Sequence, residues 1–205
     1  MNETIELKRA AQAATTVEVD IAGLSAQVAV RAAEEGILDV AYCDIESPVG
    51  TLLAVATTEG LVQIGFPDQP RDELLAALAT RISPRLLEAP ARLDPVRRQF
   101  DEYFDGRRRE FGLDVDWRLS GGFRQRVLRE TARIPFGETR SYMEMAASAG
   151  SPRAHRAAGS ALGSNPIPIV VPCHRVLRAG GGLGGYAGGL QVKEKLLKLE
   201  GILGS

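Results

Sequence analysis

The last quarter of the chain contains the proline-rich run Asn165-Pro-Ile-Pro-Ile-Val-Val-Pro-Cys-His-Arg-Val176. Its three prolines cannot donate to a β-ladder, so they hold an extended apolar run outside regular strand pairing. The run ends at Cys173, and His174 follows directly. A thiol reacts as its thiolate and needs a base and positive surroundings, which makes a cysteine beside a histidine a candidate nucleophile.

The other cysteine, Cys43, has a different setting. It lies in a strand pattern beside Tyr42 without a histidine or basic partner, which is typical of a small buried hydrophobic residue. Two cysteines are too few for a disulfide framework, and with only His155 and His174 no cluster has zinc-site spacing. We expect reduced thiols and no structural metal.

Three short helices are predicted upstream of the cysteine segment. The first has residues at helical spacing, namely Phe123, Val127, Leu128 and Thr131. The second opens with a capping box formed by Ser141 and Glu144. The third is framed by Ser151 as cap, Pro152 in its first turn and Gly163 past its end. Two short helices joined by a tight corner are typical of a helix-turn-helix, although many unrelated helical domains share this pattern.

The third helix has almost no bulky side chains. Its small residues are Ala154, Ala157, Ala158, Gly159 and Ala161. Its backbone can therefore approach a neighbour closely, while Arg153, Arg156 and Ser160 share a face at i, i+3, i+7 spacing. Taken alone, this pattern is equally compatible with contact to DNA and with close packing inside the helix's own domain.

In the first half of the chain the apolar residues recur with a different spacing. Residues 1–36 read as an extension ending in a helix that Asp20 caps and Gly36 closes. From Asp39 the apolar period is two, which predicts a small antiparallel meander. Helices follow over about 71–82 and about 95–104. Asp94 is the predicted cap of the second and Pro95 its first residue. Its predicted buried stripe is Val96, Phe100, Tyr103 and Phe104.

The charge of the chain is unevenly distributed. Residues 1–117 carry 12 basic and 21 acidic residues, whereas residues 118–180 carry 10 arginines and 3 glutamates. A basic segment after an acidic one suggests that one face meets a polyanion. On charge alone, a solvated arginine-rich surface explains the pattern equally well. No apolar run approaches the ~20 residues of a membrane span, and the N-terminus lacks the pattern of a signal peptide, so we expect a cytoplasmic protein.

The combined motifs resemble one family. PCHRV at 172–176 is preceded by NPIPIVV and followed by GYAGGL at 185–190 and KEKLLKLEG at 193–201, and FGETRSY stands at 136–142. Over about 120–201 the chain therefore resembles the O6-alkylguanine-DNA alkyltransferases, also called methylated-DNA–protein-cysteine methyltransferases. The N-terminal half matches only in its strand-then-helix order, and residues 1–36 have no recognised counterpart.

The sequence pattern and the resemblance together predict an α+β fold in three parts. Residues 1–38 would be an N-terminal extension of unknown role. Residues 39–116 would be an α/β domain with a small antiparallel β-sheet and helices. Residues 117–205 would be a mainly helical, winged-helix-like domain that contains the helix-turn-helix, binds DNA and accepts the alkyl group.

The resemblance also implies a catalytic set. Cys173 would be the alkyl acceptor and His174 its base, acting through a water because neighbouring residues in an extended segment point to opposite sides. Glu200 would hold the imidazole in the right tautomer, although sequence alone favours an exposed carboxylate at a helix end. Asn165 would brace the turn before the cysteine segment. Tyr142 would help rotate the nucleotide and donate to the departing guanine, whereas the alternative is an ordinary core tyrosine near a helix start.

Lesion recognition would require base flipping, because O6 lies inside the paired duplex. Arg156 would enter the stack from a helix in the minor groove, with Arg153 and Ser160 on the same face. The carbonyls of Cys173 and Val176 would read the exocyclic amine, and the loop 180–189 would shape the pocket. The expected pocket residues are Pro168, Val176, Tyr186, Ala187 and Gly188.

This chain departs from the family pattern at two places. Ala187 stands where relatives often have a small polar residue, so only backbone donation to O6 remains. Some relatives hold a zinc ion in the N-terminal domain, and the residues for it are absent here. We expect no cofactor, no metal and a monomer whose partner is duplex DNA containing O6-alkylguanine, with O4-alkylthymine as a second candidate substrate.

Two alternative functions stay open from the sequence. A Cys-His hydrolase would activate water for a second half-reaction and would turn over. A non-enzymatic sensor or regulator would bind damaged bases without reacting, but the presence of Cys173 argues against it.

Overall fold

The computed structural model describes residues 21–204, and its N-terminal half is built around a four-stranded sheet. Three strands form the predicted antiparallel meander, and a fourth pairs in parallel with the first. The strands are β1 (Val40–Ile45), β2 (Leu52–Thr57), β3 (Gly60–Gly65) and β4 (Leu86–Glu88), in the order β3-β2-β1-β4. The sequence does not predict β4, because its three residues are too few to show a period.

Three helices accompany this sheet. They are α1 (Ile21–Glu34), α2 (Arg71–Arg81) and α3 (Asp94–Phe104). After α1 the chain turns at Gly36, whose φ of +69° suits a glycine. The predicted cap of α1, Asp20, lies outside the described residues. The cap of α3 is one residue earlier than predicted, at Leu93, so Asp94 and Pro95 belong to the first turn of the helix.

The C-terminal half is mainly helical. Its helices are α4 (Gly122–Thr131), α5 (Tyr142–Ser148), α6 (His155–Gly163) and α7 (Gly189–Leu199). Two short strands, β5 (Arg140–Ser141) and β6 (Val176–Leu177), pair in parallel. Helices α4, α5 and α6 pack against one another, with α5 and α6 as the two members of the predicted helix-turn-helix.

The capping box of α5 is confirmed. The side chain of Ser141 accepts from the backbone N–H of Glu144 at 3.2 Å, and the Glu144 carboxylate accepts from the backbone N–H of Ser141 at 2.6 Å. These two bonds satisfy orphan donors in the first turn. They fix the start of α5 and hence the position of Tyr142, its first residue.

The start of α6 is later than predicted. The sequence places Ser151 as its cap, but the helix begins at His155 with Ala154 in the cap position. The backbone N–H of Ala154 donates to the carbonyl of Ser151 at 2.8 Å, which closes a turn ahead of the helix. Serine and proline occur both in such turns and at helix starts, so the sequence pattern alone does not distinguish the two.

The segment between α6 and β6 is extended only in part. Ile169 is fully buried with φ of +74°, a left-handed conformation that is unfavourable for a β-branched residue. The packing around Ile169 therefore imposes its backbone conformation. At the end of the segment, Cys173–Arg175 form a single 3₁₀ turn rather than the extended backbone that the prolines predict.

One hydrophobic core joins the two halves of the chain. Phe100 and Tyr103 of α3 belong to it together with Val127 of α4 and Leu196 of α7, and all four are at most 1% exposed. Sheet and helices thus form the predicted α+β fold. Within residues 21–204, none of the helices is long and apolar enough to cross a membrane.

Candidate active site

The candidate nucleophile, Cys173, is the first residue of the 3₁₀ turn and is only 5% exposed. The amide nitrogen of Asn165 donates to its Sγ at 3.2 Å and to the carbonyl of Val171 at 2.8 Å. The amide oxygen of Asn165 accepts from the backbone N–H of Ile167 at 3.0 Å. Asn165 therefore links the end of α6 to the cysteine segment through three hydrogen bonds.

Burial disfavours the thiolate form of Cys173. It raises the pKa of Cys173 to about 11, although the hydrogen bond from Asn165 and the charge of Lys193 act in the opposite direction. The thiol is consequently protonated at neutral pH and requires a base. Cys43 is also buried and its pKa is also raised to about 11, but it is packed in the sheet core.

His174 and Glu200 form a buried pair behind the cysteine. The Nε2 atom of His174 lies 2.8 Å from Oε1 of Glu200, and both side chains are 0% exposed. Burial raises the pKa of Glu200, but the hydrogen bonds from His174 and Arg175 outweigh it and hold this pKa at about 2. Burial also lowers the pKa of His174. An ionised carboxylate beside a neutral imidazole places the imidazole proton on Nε2.

The other ring nitrogen of His174 is available as a base. Nδ1 is buried and has no hydrogen-bond partner among the described residues. In the tautomer that Glu200 selects, Nδ1 carries a lone pair and can accept a proton. The prediction that the side chains of Cys173 and His174 point to opposite sides assumed an extended backbone. In the structure both residues belong to the 3₁₀ turn, so that prediction does not apply.

Two further residues hold Glu200, and the sequence did not identify either. Arg175 donates from Nε to Oε2 at 2.7 Å and from Nη2 to Oε1 at 2.8 Å. Tyr103 of α3 donates its hydroxyl to Oε1 at 2.7 Å. Glu200 is buried because it meets these donors at the end of α7, so the exposed helix-end carboxylate that the sequence alone favours is wrong. Arg175 stands within the PCHRV motif, whereas Tyr103 shows only as part of an apolar stripe.

A cavity of about 680 Å³ opens at Cys173. Tyr142 and Arg156 line it from the helix-turn-helix, and residues 184–187 line it from the predicted pocket loop. Tyr186 and Ala187, two of the pocket residues that the resemblance implies, are among these lining residues. The cavity is large enough to accept a single small ligand group of the size of a base.

Three expected pocket residues do not line this cavity. Pro168 is buried and forms an isolated bridge with Val171. Val176 is fully buried, and its carbonyl accepts from Nζ of Lys193 at 2.7 Å. Gly188 lies against the ring of Phe66, where a Cβ atom would come within 2.7 Å of a ring carbon. These three residues support the walls of the pocket rather than facing into it.

Lys193 is a third residue that the sequence did not single out. Its side chain is fully buried in α7 and donates to the carbonyls of Val176 and Leu183. Burial lowers the pKa of this ammonium to about 8. Lys193 thus ties the strand after Cys173 to the loop that forms the pocket.

Tyr142 faces the pocket loop across the cavity. It is partly buried, and burial raises the pKa of its hydroxyl, with the nearby Cys173 as a second cause. The phenol therefore stays protonated and can donate at neutral pH. Gly184 approaches it so closely that a Cβ atom would come within 2.5 Å of the hydroxyl oxygen.

The exposed face of α6 carries small residues and one arginine. Arg156, Ala157 and Ser160 are exposed, and Arg156 also lines the cavity. The Ser160 hydroxyl donates to the carbonyl of Arg156 at 3.3 Å. Arg153 lies in the turn before the helix, so the predicted helical face shared by all three polar residues is wrong for Arg153.

Comparisons with known proteins agree on one family. The family described as 6-O-methylguanine DNA methyltransferase matches twice, with its ribonuclease-like domain at residues 32–117 and its DNA binding domain at residues 122–202. The chain is 40% identical over 159 residues to the methylated-DNA–protein-cysteine methyltransferase of Methanosarcina barkeri. The alignment covers 78% of this chain and 96% of that protein.

Solved structures give the same result. The chain is 38% identical to Mycobacterium tuberculosis O6-methylguanine methyltransferase, with a TM-score of 0.69, covering 78% of this chain and 92% of that one. It is 39% identical to Mycobacterium tuberculosis OGT in complex with DNA, with a TM-score of 0.68 and the same coverage. These likenesses span both halves of the fold and the site at Cys173, and the chain therefore belongs to the methylated-DNA–protein-cysteine methyltransferase family.

Proposed function

We propose that this protein repairs DNA by moving the alkyl group of O6-alkylguanine onto Cys173 in a single irreversible step. The observation that carries the proposal is the relay of a buried thiol, a neutral imidazole and an ionised carboxylate, with the thiol at a cavity that the helix-turn-helix also lines. Family membership and the relative solved with DNA support the same reaction.

In this mechanism His174 acts as the general base. The thiol proton of Cys173 passes to Nδ1 of His174 through a water, and Glu200 stabilises the imidazolium that forms. The thiolate then attacks the alkyl carbon, and the carbon–O6 bond breaks with its electron pair left on the purine. Tyr142 donates a proton to the purine, and the proton taken from the thiol restores the phenol.

The product explains why each molecule would act once. Sulfur and carbon form a thioether, which has no carbonyl for water to attack, unlike the acyl intermediate of a hydrolase. Asn165 orients Sγ before the reaction, and Ala187 offers the purine only its backbone N–H.

The lesion would reach Cys173 by base flipping. We place α6 in the minor groove, where its exposed small residues permit close approach and Arg156 enters the stack in place of the extruded base. Ser160 and Arg153 would contact the backbone from the helix and from the turn before it. The backbone carbonyl of Cys173 would accept from the exocyclic amine, whereas the carbonyl of Val176 lies outside the cavity lining and already accepts from Lys193.

We further propose a cytoplasmic monomer without bound metal, divided at about residue 117 into an N-terminal domain and a domain that binds DNA. Within the described residues, no group of three or more His, Cys, Asp or Glu side chains is placed to hold a metal ion. The same reaction on O4-alkylthymine is a second candidate, since it requires only an alkyl group on an exocyclic oxygen.

One experiment separates the candidate functions. The protein is incubated with duplex DNA that carries O6-methylguanine with a radiolabelled methyl group. Label that accumulates on the protein in a one-to-one ratio, at Cys173 by peptide mapping, supports the proposal. Release of label over many turnovers would indicate a hydrolase, and tight binding without transfer would indicate a sensor.

A further inference from the structure

The arginines of the C-terminal half divide into two groups by their contacts. Residues 118–180 contain ten arginines. Seven of them bind a carboxylate, a backbone carbonyl or an aromatic ring, and these are Arg118, Arg124, Arg126, Arg129, Arg133, Arg140 and Arg175. Among the described residues, the side chains of Arg153, Arg156 and Arg178 have no such partner.

Arg178 is the member of this group that the sequence did not single out. It is exposed and lines the cavity at Cys173, as Arg156 does. The two side chains come from separate elements, because Arg156 belongs to α6 and Arg178 follows β6. None of the described residues that line the cavity is a carboxylate, so nothing there neutralises either guanidinium.

The backbone of Arg178 is fixed although its side chain is unpaired. Its N–H donates to the carbonyl of Gly182 at 2.7 Å, and its own carbonyl accepts from Gly181 at 2.9 Å. Gly180 and Gly181 have φ of +93° and +86°, which allows the chain to turn back tightly. Gly182 lies against the Arg178 side chain, since a Cβ there would be 3.6 Å from its Cδ. A guanidinium is thus held at the cavity on a short, anchored turn.

We propose that Arg178 binds a backbone phosphate of the strand that carries the lesion. This inference rests on the proposed function. Flipping rotates a nucleotide by about 180° about its backbone, so its flanking phosphates stay at the rim of the pocket that takes the base. If Arg156 occupies the stack, α6 has no other arginine or lysine to bind that phosphate. A guanidinium binds phosphate through its positive charge and through two parallel N–H donors. Arg178 provides both from the turn that follows β6.

The test compares how the affinity for duplex DNA depends on salt concentration in the wild-type protein and in Arg178→Ala. A phosphate contact changes the slope of log affinity against log salt by about 0.9. If counterion release is its whole effect, losing it lowers affinity about 15-fold at 50 mM salt and about 4-fold at 200 mM. The second-order rate constant for transfer from an O6-methylguanine duplex should fall in the same proportion. Arg178→Lys should keep most of the slope, because an ammonium neutralises the same phosphate.

Arg133→Ala is the matched control. It removes one exposed arginine from the same half of the chain, but Arg133 is paired with Glu130 and does not line the cavity. It should leave the salt slope unchanged. An unaltered slope in Arg178→Ala, or an equal change in Arg133→Ala, overturns the proposal.

Two readouts separate this inference from the function itself. Duplex affinity by fluorescence anisotropy reports the phosphate contact even if no transfer occurs, so a protein that binds but leaves Cys173 unlabelled refutes only the proposed function. Reaction with free O6-benzylguanine involves no phosphate. If Arg178→Ala slows this reaction as much as duplex repair, Arg178 acts on the pocket and the phosphate contact is wrong.

Discussion

At the level of single residues, the two buried cysteines differ in the side chains that surround their thiols. Cys43 and Cys173 are both buried, and burial raises both pKa values to about 11. Only Cys173 has a side-chain amide on its sulfur and a histidine next in the chain whose Nδ1 is unpartnered among the described residues. Reactivity therefore depends on the neighbouring base and not on the thiol's own pKa.

This difference predicts the result of a paired substitution. Cys173→Ala should abolish transfer to below detection while duplex DNA still binds, because the groove contacts come from α6 and not from the cysteine turn. Cys43→Ala should retain transfer. Stoichiometric labelling with radiolabelled O6-methylguanine duplex, with anisotropy for binding, measures both. Transfer that persists in Cys173→Ala would move the acceptor to Cys43 and end the mechanism.

A second prediction concerns Glu200 and pH. Its pKa is held at about 2 in the folded protein against an ordinary value of 4.5, which corresponds to about 3 kcal/mol of stability. Because the folded pKa is depressed, this contribution is present above about pH 4.5 and is lost as pH falls towards 2. Glu200→Gln should reduce the free energy of unfolding at pH 7 by about 3–5 kcal/mol, since Arg175 would stay buried without its counter-charge.

Urea unfolding at pH 7, 4 and 2.5 checks the Glu200 prediction. The difference between wild type and Glu200→Gln should narrow as the pH falls. Glu194→Gln is the control, because Glu194 is exposed on the same helix and should change stability by less than about 0.5 kcal/mol. A difference that stays constant over this range would mean that the ionised carboxylate does not stabilise the fold.

At the scale of elements, sequence patterns predicted the order of helices and strands better than their ends. Local signals were sufficient for α5, because Ser141 and Glu144 bond to each other three residues apart. They failed at Ser151, which closes a turn, and at Cys173, where a 3₁₀ turn replaces extended chain. In both cases the outcome depends on packing between elements, which a local pattern does not contain.

The pocket loop gives the element-scale prediction. Gly184→Ala places a Cβ within 2.5 Å of the Tyr142 hydroxyl oxygen, at a residue whose φ is +67°. The loop or Tyr142 must move, so transfer should slow at least about tenfold with duplex and with free O6-benzylguanine alike. A displacement of the reacting groups by about 1 Å can reduce the rate about 100-fold.

Gly180→Ala separates steric contact from backbone strain. Gly180 has φ of +93°, but nothing lies within 4 Å of its added Cβ. It therefore shares the strain of the left-handed conformation and lacks the clash with Tyr142. Equal slowing of transfer from free O6-benzylguanine in both variants would show that loop strain, and not the Tyr142 contact, determines the rate; this substrate has no phosphate for Arg178 to bind.

At the scale of the whole molecule, the N-terminal half completes the site from two directions. Tyr103 donates to Glu200 across 97 residues of sequence, and Phe66 at the end of the sheet packs on Tyr186 with ring centroids 5.6 Å apart. The sequence predicted Tyr103 only as part of the buried stripe of α3 and did not single out Phe66, because a contact over that separation leaves no local pattern. Cys173 and His174 were predictable by contrast, because they are adjacent at the end of the proline-rich run, and the family resemblance added Asn165.

Transfer of the alkyl group to Cys173 should lower the stability of the folded protein. Methylation adds a carbon to the sulfur of Cys173, a residue that is only 5% exposed and whose Sγ already accepts from the Asn165 amide at 3.2 Å. Overpacking a close-packed site by one carbon typically costs about 1–3 kcal/mol, and a weakened hydrogen bond adds about 1 kcal/mol. For a chain of this length about 1 kcal/mol lowers Tm by about 2–4 °C. Because Asn165 connects the cysteine segment to α6, duplex affinity should fall as well, so that spent protein leaves the DNA.

Melting temperature and affinity for undamaged duplex, each measured before and after stoichiometric methylation, test this consequence. Protein incubated with duplex that lacks the lesion is the control for handling and for bound DNA. We expect a Tm several degrees lower and weaker binding in the methylated sample alone. An unchanged or raised Tm would mean that the new carbon lies in the 680 Å³ cavity without disturbing Asn165. In that case release from DNA would need a cause other than strain at the cysteine turn.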